Sequence, residues 1–400
     1  MRRRQLLQVC GGSLALAGCT APTNSVGGEW PMFRYDSLNT GHPSDAYGPK
    51  STPDVDWSVR TSGAIWGSPA VSGGLVYIGN HDGLVYAFDA ASGEEVWSYR
   101  TGSYVDSSPA VVDGVMYVGS WDNHVYAIDA TDGEEMWSYD AGDFVRSSPT
   151  VADGVVYIGT HCQLTECTSY FPEREHESDG YLVALDATSG DRLWKHEVGR
   201  EVVSTPAVDA QRVYVGTSAG FVLAVDRETG KEVWTVPTDG IVYGAPTVAD
   251  GRVYYAPMTN SVHAVDANSG DPIWDATLET RMTGSSPAID DARVYIGSGG
   301  RLYAIDRADG TLDWSITLSG EILGSSPAVV DGLVYVGTHN IRDIADDPGV
   351  FAVTSDGELQ WTFRESEVDL IAGDGFGSSP AVVDGTLFIG TESNRITALR

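Results

Sequence analysis

Eight positions, each three residues before a proline preceded by Ser, Thr or Ala, are diverse in a chain that is otherwise strongly self-similar. They are Trp66, Asp106, Arg146, Val203, Tyr243, Gly284, Gly324 and Gly377. A second set, His81, Trp121, His161 and His339, occupies a recurring turn further on in its repeats. Rings of Trp and Tyr stack on flat or apolar groups, Arg and Asp recognise opposite charge, and His exchanges protons, so this set suits the capture of a ligand or partner. The same variety is also expected of loop residues under no constraint. Nucleophilic triads and phosphate-cradling loops are not detectable. One further cluster is His161, Cys162, Cys167 and His176. A disulfide between Cys162 and Cys167 suits an oxidising compartment, and a metal site is the alternative, although the spacing matches no common zinc pattern.

The elements that position these residues follow from a repeat. Trp57, Trp97, Trp137, Trp194, Trp234, Trp274, Trp314 and Trp361 recur mostly at intervals of 40 residues, a period typical of repeat architectures. Each unit holds four short strand-like runs. Pairs such as Asp113-Gly114, Asp153-Gly154 and Asp384-Gly385 separate the first two and tolerate the positive backbone angles of tight hairpins. Short connections make neighbouring strands antiparallel. Four antiparallel strands per unit match a propeller blade. The last unit stops after three strands, and the missing fourth is present at the other end, around Trp57. The expected fold is therefore all-β, an eight-bladed propeller of four-stranded antiparallel blades. An N-terminal strand completes the C-terminal blade, and this closure leaves no open end. The eight tryptophans are expected to pack between blades. On a propeller the turns before the first strand and those between the second and third emerge together, around the mouth of the channel. Two insertions break the period: residues 161–180 in blade 3, and Asn340 to Gly349 in blade 7.

Ala87 to Trp97, repeated at Ala127 to Trp137, Ala184 to Trp194, Ala224 to Trp234, Ala264 to Trp274 and Ala304 to Trp314, resembles the Ala-x-Asp-x-x-Thr-Gly-x-x-x-Trp docking motif of pyrroloquinoline quinone (PQQ) repeat propellers. The resemblance covers about residues 55–400. It implies two different functions: PQQ-dependent alcohol or sugar dehydrogenases, and non-enzymatic BamB-like scaffolds that capture protein or peptide partners. In the enzymes, PQQ sits at the channel mouth between an aromatic floor and a carboxylate-held calcium, with an aspartate as base. Trp121, Asp106 and Arg146 offer those residue types, but no family active-site motif aligns on them. No adjacent cysteine pair and no Cys-x-x-Cys-His haem site occurs, and the blades have minimal length, leaving little material for a cofactor pocket. The scaffold is the reading preferred, with no cofactor; PQQ and calcium belong to the alternative. The segment from Trp30 to Gly41 resembles the lead-in found before many such propellers and is expected to pack across the ring and help clamp the split blade.

Residues 1–19, with Arg2, Arg3 and Arg4, an apolar run, and Leu16-Ala17-Gly18-Cys19, look like a twin-arginine signal ending in a lipobox that would lipidate Cys19. Residues 20–53 then form a tether and lead-in, and residues 54–400 the propeller. The expected location is the extracytoplasmic face of the cell membrane, held by a lipid anchor. The formal charge is −32, which repels itself in dilute buffer and is tolerated where salt shortens the screening length. A halophilic cell of archaeal type is expected. No basic patch exists to hold phosphates, so nucleic acid is not an expected partner.

Overall fold

The computed structural model describes residues 28–161, 180–282, 284–340, 348–364 and 375–400. The signal, Cys19, the pair Cys162 and Cys167, His176 and most of the blade 7 insertion lie outside the described residues.

Thirty-one strands, β1–β31, and no helix are found among the described residues. Blade 1 comprises β2 (Ala70–Ser72), β3 (Leu75–Gly79), β4 (Leu84–Asp89) and β5 (Glu95–Arg100), hydrogen-bonded in that order. The plan repeats around the ring. In blade 6 the second and third strands run on as one 14-residue strand, β23 (Arg293–Asp306). Blade 8 joins the two ends of the chain: β1 (Val55–Arg60) pairs with β31 (Arg395–Leu399), followed by β30 (Thr386–Thr391) and β29 (Ala381–Val383). Five of the eight inner hairpins turn through Asp-Gly pairs, as with Asp113 at φ 53° and Gly114 at φ 78°.

The docking motif has a mechanical meaning in every part. In blade 1, Ala87 lies opposite Trp97 across the outer strand pair, where a bulge follows; the small residue leaves room for the indole. Asp89 accepts hydrogen bonds from the Ala91 and Ser92 amides at 3.1 and 2.8 Å and so builds the turn. Gly93, at φ 72°, lies beneath Trp57 of the preceding blade, and a Cβ there would come within 2.7 Å of the ring. The indole N–H of Trp57 donates to the Ala90 carbonyl at 3.0 Å. Six of the other seven tryptophans make the matching bond to the next blade around the ring. Inner residues of adjacent blades form the core, as where Ala70, Tyr77 and Trp97 pack on Val111, Met116 and Ile128.

Residues 28–50 close the end of the channel opposite the mouth. Their carbonyls receive the amides of Val71, Val111, Val208, Val248, Ile289 and Val329, the second residues of six inner strands. Arg34, 2% exposed, sits between Pro31 on blade 2 and the far wall, where its terminal nitrogens donate to the Pro287 and Pro327 carbonyls. Burial lowers its pKa to about 9, with Asp36 pulling the other way, so it stays charged at neutral pH. Asn39, fully buried, donates to the Pro206 and Pro246 carbonyls at 3.1 Å each. The segment then reaches the split blade. Blade 8 has no turn between its third and fourth strands because the chain ends fall there, and the Pro49 carbonyl takes the Trp361 indole N–H in its place at 2.8 Å. Asp54 and Arg400 exchange two backbone hydrogen bonds of 2.9 Å, fastening the ends of β1 and β31 together.

Candidate functional site

The inter-blade turns carry paired small residues before each proline, and the two positions do different work. The first, as at Ser204 and Ser378, accepts the amide of the glycine in its own second strand at 2.8 Å. The second accepts the amide of the preceding blade: Ser68 N donates to Ser108 Oγ at 2.8 Å, Ser108 N to Ser148 Oγ at 3.0 Å, and Ser379 N to Ser68 Oγ at 2.9 Å across the closure. Ala245 N, Ser286 N and Ser326 N continue the series. These bonds lock the turn at six of the eight junctions, which helps place the residue two positions earlier over the channel.

Trp66, Asp106, Arg146, Val203, Tyr243, Gly284, Gly324 and Gly377 all line one cavity of about 410 Å³. Ser68, Ser108, Ser148, Thr205 and Ser286 form its wall, with Met258, Leu323 and Glu392. Phe33, from the segment that crosses the ring, reaches it from the opposite end. The cavity is therefore a cup open at the mouth and floored by the lead-in. It is lopsided: five consecutive junctions carry side chains and the next three carry glycine.

The second set of residues stands behind this rim instead of lining the cup. His81 Nε2 contacts Asp106 Oδ1 at 2.5 Å, and Arg146 Nε lies 3.4 Å from the other oxygen. His161 lies 3.4 Å from Glu201 and His339 3.2 Å from Glu392. Each acid of the mouth thus has a basic partner. Stacked and tilted rings run along the first three blades: Trp66 on His81 at 5.7 Å, His81 on Tyr104 at 4.9 Å, Tyr104 against Trp121 at 5.7 Å and Trp121 on Phe144 at 5.3 Å. Trp66 and Tyr104 remain 44% and 48% exposed. Tyr104, Phe144, Glu201, Glu392 and the floor residue Phe33 escaped sequence reading. The first three adjoin rim positions already singled out, whereas nothing local marks Phe33 as part of a mouth 30 or more residues away.

The fold class invites a test for quinone and calcium. Calcium takes six to eight oxygens, and among the described residues no group of three or more His, Cys, Asp and Glu is placed to hold a metal ion. Asp106, Glu201 and Glu392 are moreover spread over separate junctions and each is matched to a basic side chain. The calcium half of that cofactor pair does not fit the described residues.

An eight-bladed propeller carrying this docking motif and a floored cup defines the class as a PQQ-repeat propeller. The chain belongs to the family described as outer membrane protein assembly factor BamB, whose pattern matches residues 50–169, 178–262 and 258–400. No curated protein matches it. Among solved structures, BamB from Moraxella catarrhalis is 18% identical, covering 87% of this chain and 99% of its own, with a TM-score of 0.68. The quinohemoprotein alcohol dehydrogenase from Comamonas testosteroni is 16% identical, covering 93% and 80%, with a TM-score of 0.75. A computationally designed protein, Ika8, is 16% identical over 88% of this chain and 99% of its own, with a TM-score of 0.69. Likeness to an assembly factor, an enzyme and a design at similar identity is likeness of fold, and function has to be argued from the site.

Proposed function

We propose that the chain is a non-catalytic propeller scaffold, held by a lipid on Cys19 at the extracytoplasmic face of the membrane after twin-arginine export, which binds a protein partner at the channel mouth. The observation that carries the reading is the convergence of all eight divergent positions on one cup, while the repeat is kept elsewhere for packing. An exposed Trp and Tyr beside an Arg is the composition of a binding hot spot. Family membership supports a protein partner. No helix among the described residues is long and apolar enough to cross a membrane; in this reading the lipid on Cys19 is the attachment.

The dehydrogenase reading is the second, favoured by the TM-score of 0.75 to the quinohemoprotein enzyme and opposed by the acids' engagement. Two experiments separate these. Photo-crosslinking from position 104, an exposed aromatic beside the rim, should trap a partner protein in cells that is lost in Trp66→Ala with Arg146→Gln; capture unaffected by that pair of changes argues against the mouth. Titration of PQQ and calcium should give neither saturable tryptophan quenching nor dye-linked alcohol oxidation; turnover would replace the scaffold with the enzyme. Cys19→Ser should release the protein from membranes, and retention would remove the anchor.

A further inference from the structure

We propose that the cup binds the C-terminal end of a partner polypeptide, with the terminal carboxylate on Arg146 and an apolar last side chain against Phe33. This rests on the partner-binding reading above and specifies what enters the mouth.

Four observations lead to it. The first is the floor: Phe33 lines the cup and Arg34 crosses the axis behind it, so a chain cannot thread through and only an end or a single side chain can enter. The second is Arg146. Its Nε faces Asp106 at 3.4 Å, its side chain is 34% exposed on the cup, and its two terminal nitrogens make no hydrogen bond to any described residue. A guanidinium with donors in hand takes carboxylate in a two-point contact. The third is the wall. Ser68, Ser108, Ser148 and Ser286 each accept a backbone amide at Oγ, and none donates its own proton to a described residue. A serine hydroxyl that accepts one amide keeps its own O–H proton, which rotates to meet an acceptor, so the wall can donate to the oxygen of a carboxylate. The fourth is composition. Phe33, Val203, Met258 and Leu323 provide apolar surface in the same cup, and the acids that would repel an anion, Asp106 and Glu392, lie against Arg146, His81 and His339.

A carboxylate on an aromatic body could also arrive as a small free acid, and the test separates the sources. With the full chain, binding of acetyl-Gly-Gly-Phe with a free C-terminus, its C-terminal amide, and 3-phenylpropionate is followed by intrinsic fluorescence and saturation-transfer NMR. The free tripeptide should bind about tenfold or more tightly than its amide. Arg146→Gln should bring the acid down to the amide, and Arg146→Lys should recover part of the difference, each with an unchanged unfolding midpoint. Equal binding of acid and amide to the native chain overturns the carboxylate contact. Binding of 3-phenylpropionate as tight as that of the tripeptide overturns the chain end in favour of a small acid. Absence of saturable tripeptide binding at several millimolar overturns the proposal altogether, whereas crosslinking from position 104 would then still report whether a protein partner uses the mouth.

Discussion

At the scale of single residues, the mouth is held by hydroxyls and the blades by phenols. Ser108 Oγ is the acceptor for the buried Ser68 amide at 2.8 Å, so Ser108→Ala should cost about 1–3 kcal/mol through an amide left without a partner. Chemical denaturation measures it, and a loss below about 0.5 kcal/mol would show that water or a neighbour replaces the bond. Ala245 occupies the equivalent place in its own blade, so the ring already runs with one hydroxyl missing. Tyr77, 2% exposed, donates to the Ala130 carbonyl at 3.0 Å, and burial pushes its pKa up to about 12. Burial does the same for Tyr117 and Tyr255. Folded-state values above the ordinary 10 mean that the native protein keeps protons the unfolded chain has lost. Their contribution is therefore complete below pH 10 and falls away as pH rises toward 12. Urea midpoints measured from pH 9 to 12 should decline, with a shallower decline in Tyr77→Phe; identical slopes would remove Tyr77 from the effect.

At the scale of the element, the blade junction is a lock between an indole and a glycine. Gly133, at φ 78°, lies under Trp97, where a Cβ would come within 2.8 Å of the ring. Gly133→Ala thus carries both a backbone and a packing penalty and should cost about 1–3 kcal/mol. Trp97→Ala should cost about 3–5 kcal/mol. In the double variant the methyl has space, so only the backbone penalty persists and the losses should fall short of additive; strict additivity would mean that the ring and the glycine are not in contact. This lock is also why so much of the fold was legible: Trp, Ala-x-Asp and Gly recur because each junction repeats the same contact. The position of the mouth was legible for the opposite reason, since Trp66, Asp106, Arg146 and Tyr243 depart from a pattern that packing enforces elsewhere. The pairing of His81 with Asp106 or His339 with Glu392 was not, because it joins turns of neighbouring elements whose relative height no local signal records. Phe33 was least legible of all. Its place depends on Arg34 and Asn39 finding carbonyls more than 150 residues away.

At the scale of the whole molecule, a formal charge of −32 sits on a ring whose closure at blade 8 is non-covalent, through the pairing of β1 with β31 and the Ser379 to Ser68 bond. Every blade carries part of that charge, so folding brings like charges together all around the rim, and the closure at blade 8 is where relief of the repulsion is easiest. At 0.01 M salt the screening length is about 30 Å and the acids of neighbouring blades feel one another; at 0.1 M it is about 10 Å, and at 1 M about 3 Å. Stability should therefore climb most steeply below about 0.3 M salt. Molar salt also strengthens apolar burial, but that effect depends on the anion, sulfate exceeding chloride. Screening depends on ionic strength alone. The unfolding midpoint should rise together in sodium chloride and sodium sulfate when plotted against ionic strength up to about 0.3 M, and separate by anion only above it. Curves that are flat at low salt and diverge only at molar concentrations would assign the salt response to apolar burial, and with it would fall the proposal that the acidic surface suits the chain to a saline environment.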